Sequence, residues 1–151
     1  DSYALRANAG AVALCKRTGA MSMQTKIVVQ EFKLIVAGGR DFNDYALLSK
    51  TLNELANDEY ADKAVSIVSG MARGADALAH RFAMENGVAV YEFPADWYKH
   101  GKSAGYLRNK EMALFADGLL AFWDGKSKGT KHMIDTARQL HLPTIVMPYR
   151  T

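Results

Sequence analysis

Between residues 32 and 147 the chain alternates short, β-branched apolar runs with longer segments whose apolar residues recur every three or four positions. A run of this kind makes a strand buried on both faces, and the longer spacing lays one stripe of a helix on a core. Alternation of the two is the pattern of βαβ units and a parallel sheet. Five strands are expected: Phe32 to Ala37, Ala64 to Ser69, Val88 to Phe93, Gly118 to Trp123 and Pro143 to Met147. Four helices separate them. The first runs from about Tyr45 to Asn57, with Leu48, Leu52 and Leu55 on one face and Asp44 as N-cap. The second carries Ala75, Leu78, Ala79, Phe82 and Ala83 and closes at Gly87, a C-cap residue type. The third spans about Ala104 to Phe115 and the fourth about Thr130 to His141, where Pro143 stops it. Right-handed crossovers leave few ways to connect these pieces. The expected fold is an α/β, Rossmann-like, doubly wound parallel five-stranded sheet, order 3-2-1-4-5, with helices on both faces. The strand order then reverses between the first and fourth strands.

Charge separates the chain into two parts. The whole sequence carries a net +3, which invites a nucleic-acid reading. Residues 1–30 hold Arg6, Lys16, Arg17 and Lys26 against Asp1, so the excess lies there and residues 31–151 balance to zero. That removes the global electrostatic argument for a polyanion partner. Residues 1–30, rich in Ala, Gly and small polar residues, read as an N-terminal leader or appendage, with Met21 or Met23 as the natural start, and residues 31–151 as one domain. The apolar run from Ala9 to Cys15 is far below the roughly 20 residues needed to cross a bilayer, so no membrane partner is expected. Cys15 is the single cysteine and cannot form an internal bridge, which favours a reducing, cytoplasmic setting over a secreted scaffold. His80, His100, His132 and His141 lack metal-ligand spacing, so no metal and no cofactor are expected.

Ligands of open α/β sheets bind beyond the carboxyl ends of the strands, near the reversal of strand order. Three glycine-bearing turns fall there. After the first strand comes Gly38-Gly39-Arg40-Asp41-Phe42, after the second Ser69-Gly70-Met71-Ala72-Arg73-Gly74-Ala75-Asp76, and after the fourth Asp124-Gly125-Lys126-Ser127-Lys128-Gly129-Thr130. Glycine lets backbone N–H groups approach a ligand, and two of the turns feed helix N-termini, which favour anions. Neither G-x-G-x-x-G nor G-x-x-x-x-G-K-[ST] occurs, so an ordinary Rossmann dehydrogenase and a P-loop ATPase are disfavoured. Arg108-Asn109 opens toward the same rim, and Trp97 or Tyr98 is placed to stack on a base. Asp76 is expected to cap its helix.

Taken in order, GGRDF, SGMARGAD, FPADW, GKSAGYLRN and FWDGKSKGT resemble the SLOG superfamily, and most closely its YspA-type, cpYpsA-related family, over residues 32–148. The resemblance implies a Rossmann-like fold that binds nucleotides or their derivatives. More distantly, Ser69 to Asp76 is similar to the S-G-G-A-R-G-I-D stretch of the DNA-processing protein A, and Arg108 with Met112 and Gly129-Thr130 to the R-K-x-x-M helix and P-G-G-x-G-T-x-x-E turn of the LOG phosphoribohydrolases. It implies a phosphate on the Gly129 and Thr130 amides, with Arg108 near the ribose. Where those hydrolases carry their catalytic Glu this chain has Met133, which cannot transfer a proton.

These observations favour a sensor-like domain that binds a small nucleotide-like ligand through Gly38, Gly39, Arg40, Asp41, Ser69, Gly70, Arg73, Gly74, Arg108, Asn109, Asp124, Gly125, Ser127, Gly129 and Thr130. A phosphoribohydrolase that cleaves the N-glycosidic bond of a nucleoside monophosphate is the alternative enzyme reading, with Arg108 as electrophilic helper and Asp41 or Asp124 as the carboxylate. A single-stranded DNA-binding module is the third, and nucleic acid is the less favoured partner because the body is neutral. The apolar edges Val88 to Phe93 and Pro143 to Met147 favour a homo-oligomer.

Overall fold

The structure, a computed structural model, describes residues 29–150. All but the last two residues of the expected leader, Cys15 among them, lie outside the described residues. Five strands, β1 (Gln30–Gly38), β2 (Lys63–Ser69), β3 (Val90–Glu92), β4 (Gly118–Trp123) and β5 (Thr144–Pro148), form one all-parallel sheet in the order β3-β2-β1-β4-β5. The register sets Ile35 opposite Val68 on one side of β1 and opposite Leu119 on the other.

Strand alternation divides the core into two layers. Leu34 and Val36 of β1 and Leu120 and Phe122 of β4 face one side, where α1 (Tyr45–Asn57) and α2 (Ala75–Asn86) cover them with Leu48, Leu52, Ala79 and Phe82. Ile35, Leu119 and Ala121 face the other, against Met112 and Ala113 of α4 (Ala104–Phe115) and Met133, Ile134 and Ala137 of α5 (Lys128–Gln139). A strand buried on both faces reads as a continuous apolar run, which is why β1 and β4 carry no polar alternation. The doubly wound order places α2 and α5 on opposite faces, so the chain parts between β1 and β4.

Local chemistry fixes the ends. Asp44 Oδ1 accepts the Leu47 N–H at 3.0 Å and starts α1, and the Gly87 N–H bonds Ala83 O to close α2. Many boundaries shift by one or two residues from expectation, and three differences have a clear local cause. Strand β3 is only three residues long, although Ala89 and Phe93 add bonds to Ile67 and Ser69 at its ends. The FPADW loop contains a one-turn helix, α3 (Trp97–His100), because Asp96 Oδ1 accepts the Lys99 N–H at 3.0 Å. Helix α5 starts at Lys128, because Ser127 is its N-cap. Among the described residues, no helix is long and apolar enough to cross a membrane.

Phe122 is wholly buried and stacks on Phe42 at 4.5 Å, anchoring the turn after β1 to the sheet. Truncation of a buried aromatic costs about 3–5 kcal/mol. Phe122→Ala is therefore expected to lose stability of that order in urea denaturation monitored by circular dichroism.

Candidate ligand site

The carboxyl ends of β1 and β4 open into a cleft of about 480 Å³, at the reversal of strand order. Nine of the expected binding residues line it: Gly38, Gly39, Arg40, Asp41, Arg108, Asn109, Ser127, Gly129 and Thr130. They arrive from the turn after β1, from the start of α4 and from the start of α5. Gly70 and Arg73 line a smaller adjoining hollow instead. Ser69, Gly74, Asp124 and Gly125 line neither.

The turns are held mainly by their own hydrogen bonds. The Gly39 N–H donates to Phe122 O at 3.3 Å, and Gly39 O accepts from Phe42 N at 3.2 Å and Ala75 N at 3.4 Å. Gly74, with φ +75, lies so close to that carbonyl that a Cβ would sit 2.1 Å from Gly39 O, so the first two turns pack backbone to backbone. Ser69 is buried, and its Oγ accepts the Met71 N–H at 3.1 Å. Asp124 Oδ1 accepts from Lys126 N and Ser127 N, both at 2.9 Å, which holds its carboxyl below the usual range and spends it on its own turn. The Thr130 N–H is taken by Ser127 Oγ at 3.4 Å, while the first turn of α5 is open at Gly129, where a Cβ would meet nothing within 4 Å. The glycine turns thus shape the cleft, and most of the polar groups left facing it are side chains.

Asp76 corrects one expectation. The N-cap of α2 is Gly74, without any side-chain cap. Asp76 sits in the first turn of α2, buried and only 6% exposed, and reaches back to the 70–72 turn, where its Oδ2 accepts the Ala72 N–H at 3.2 Å. Burial raises its pKa from 3.8 to about 6, against the Ala72 and Gly70 amides and the nearby Arg108 and Arg40, which act the other way. The carboxyl lines the cleft. Sequence reasoning missed it as a site residue because an Asp at a helix start is usually a cap.

Arg108 is the hub. Its Nη1 donates to Gly70 O, and its Nε donates to Asn109 Oδ1 at 3.1 Å. Asn109 in turn donates through Nδ2 to Gly129 O at 3.3 Å, so α4 ties the second and third turns together. Gly70 has no room for a side chain: a Cβ would lie 2.6 Å from Arg108 Nη1. Burial pulls the guanidinium below its ordinary pKa, with Asp76 opposing.

The lining adds residues that the turns did not single out as binding residues. Trp97 is 51% exposed and forms one wall. Tyr98 is wholly exposed and lines neither the cleft nor the adjoining hollow, so of the two neighbouring aromatics it is Trp97 that reaches the cleft. Lys102, Gly105 and Tyr106 come from around the start of α4, Met112 comes from its third turn, and Met133 forms buried floor. A signal was there: Gly105, Arg108, Asn109 and Met112 share a helical face, as do Gly129 and Met133. Of the carboxylates weighed for catalysis, Asp41 lines the cleft but its Oδ1 accepts from Tyr149 OH at 2.7 Å, and Asp124 lies outside the lining. Among the described residues, no three His, Cys, Asp or Glu side chains are grouped to hold a metal.

The sheet order and the cleft at its reversal define a Rossmann-like α/β protein. Residues 32–100 match the model of the YspA, cpYpsA-related SLOG family, and the chain belongs to that family. It is 38% identical over 120 residues to the Gene 61 protein of Mycobacterium phage D29, over 75% of this chain and 94% of that protein. Two solved structures share the fold. DNA processing protein A from Streptococcus pneumoniae superposes with a TM-score of 0.61 at 20% identity, over 78% of this chain and 50% of that one. DNA processing protein A from Helicobacter pylori, which has a unique single-stranded DNA binding mode, gives 0.54 at 22% identity, over 79% of this chain and 66% of that one. This chain therefore spans about half to two thirds of the length of those proteins.

Because the folded-state pKa of Asp76 lies above its ordinary value, folded protein holds a proton between pH 4 and 6 that unfolded protein has released. The stability this group confers is full below about pH 4 and is lost as pH rises through 6, a change of about 3 kcal/mol at 1.36 kcal/mol per pKa unit. Urea unfolding at intervals from pH 4 to 7 is expected to show a decline over that window which Asp76→Asn flattens. An unchanged slope in the variant would assign the decline to other groups.

Proposed function

We propose that this protein binds a small phosphorylated nucleotide, or a derivative of one, in the cleft at the strand-order reversal. The observation that carries the reading is the pairing of cations with an aromatic wall in one cavity. Arg40, Lys102 and Arg108 line a space of about 480 Å³ that Trp97 closes on one side, a size suited to a ligand of a few hundred daltons. No carboxylate lies within ion-pair distance of Arg40 or Lys102 among the described residues. Their charge is available to a phosphate, and a guanidinium meets phosphate oxygens in a bidentate fork. The open first turn of α5, at Gly129, adds the positive end of a helix dipole. A base stacked on Trp97 places its phosphate toward Arg40 and α5.

The reading favours recognition over turnover. Met133 forms the floor where the hydrolases have a Glu, Asp41 is engaged by Tyr149, and Asp124 is engaged by its own turn. Membership of the SLOG family supports a nucleotide ligand, and a sensor-like role that reports binding to a partner or a second copy follows from it.

Isothermal titration against mono-, di- and cyclic nucleotides and ADP-ribose tests the reading. At least one is expected to bind. Arg40→Ala should weaken that ligand roughly 10- to 100-fold, the range for a hydrogen bond to a charged group. Trp97→Ala should weaken it about 5- to 100-fold, whereas Trp97→Phe should retain most of the affinity. Silence across the whole panel overturns the reading.

A further inference from the structure

Behind Trp97 lies a second hollow, of about 280 Å³. It shares Arg40, Ala72, Trp97 and Arg108 with the main cleft, so the two are continuous across the indole. Its own contribution is Arg73, with Met71 and Pro94 as apolar walls. Three guanidinium groups therefore border a space smaller than the main cleft. Neither Arg40 nor Arg73 has a carboxylate within ion-pair distance among the described residues, and no carboxylate lines the second hollow; the nearby Asp76 lines the main cleft and accepts the Ala72 N–H. Asp76 offsets part of the charge of Arg108 and Arg40, and the positive charge that remains around Arg73 repels itself, so an arrangement of this kind is stabilised by an anion.

The hollow is also built. Its floor is the 70–73 turn, which is held at three points: Gly70 O by Arg108, Met71 N by Ser69 Oγ, and Ala72 N by Asp76. Met71 takes φ +63, a left-handed conformation that a residue with a side chain adopts only where its surroundings impose it. Arg73 follows directly on that turn, so its backbone is fixed and only its side chain has to be ordered on binding. Preorganisation of this sort reduces the entropic cost of gripping a ligand.

We propose that the second hollow is a subsite for a second phosphate. This rests on the nucleotide reading of the main cleft and narrows its ligand class. The full ligand is a nucleoside with phosphate on both sides: one group lies in the main cleft, the base lies against Trp97, and the other group lies beside Arg73. That unit occurs in a free nucleoside 3′,5′-bisphosphate and as an internal residue of a single strand. Arg40 and Arg108, which border both spaces, serve both phosphates.

Titrations with AMP, with adenosine 3′,5′-bisphosphate and with a twenty-residue oligodeoxyadenylate, all at one salt concentration, test this directly. The bisphosphate is expected to bind at least tenfold more tightly than AMP. In Arg73→Ala that ratio should fall to near one, and in Arg73→Glu below one. A strand that binds at least as tightly as the bisphosphate and loses its advantage over AMP in Arg73→Ala supports the subsite with a strand as its source. A strand weaker than the bisphosphate supports it with a free nucleotide. Equal binding of AMP and the bisphosphate, or a ratio untouched by either substitution, overturns the subsite while leaving the main cleft intact. Failure of all three probes to bind strikes the nucleotide reading itself.

Discussion

Everything at the functional end of this molecule follows from the reversal of strand order between β1 and β4. The chain leaves β1 toward β2 on one face of the sheet and leaves β4 toward β5 on the other, so no helix crosses over the point between them. A gap must open there, at the carboxyl ends of two fully buried strands. The gap alone is only a shape. Arg108 gives it a fixed wall by reaching from α4 to the Gly70 carbonyl and, through Asn109, to the Gly129 carbonyl, so that the turns after β2 and β4, on either side of β1, are locked in one arrangement.

The division of labour within the cleft is unlike that of a phosphate loop built on amides. Glycines are abundant in the three turns, yet the amides of Gly39, Met71, Ala72, Lys126, Ser127 and Thr130 are all bonded to protein acceptors. Their contribution is rigidity and close approach. Gly74 lets the second turn lie on the first, and Gly70 lets the Arg108 guanidinium lie on the second. The positive charge at the cleft comes instead from the side chains of Arg40, Lys102 and Arg108. Asp76, buried among these cations with its pKa raised to about 6, shows how tightly the turn is closed over its carboxylate.

Strand order, the two layers of helices and the turns that meet at the cleft were legible in the sequence because each rests on a local rule. The β-branched runs, the three-to-four spacing of Leu48 with Leu52 or Ala79 with Phe82, and the handedness of crossovers suffice. Element boundaries were less so. Strand β3 is shorter than its apolar run because it lies at an edge, where pairing with β2 alone defines it. The one-turn helix at Trp97–His100 is set by a single Asp96 bond too short-ranged to register as periodicity.

The sequence by itself determined which turns meet at one end of the sheet, because a parallel α/β sheet sends every βα turn to the same edge. Only the tertiary structure decided which polar groups in those turns face a ligand and which serve the protein. Asp76 and Asp124 look alike in the sequence, each beside a glycine-rich turn. In the fold one is buried in the cleft wall, whereas the other is half-buried, lies outside the cleft and is bonded to its own loop. The same holds for Trp97 and Tyr98, neighbours in the chain that the start of a helix turns toward the cleft and toward solvent. Orientation of a side chain depends on contacts with residues distant in the chain, and no local pattern carries that information.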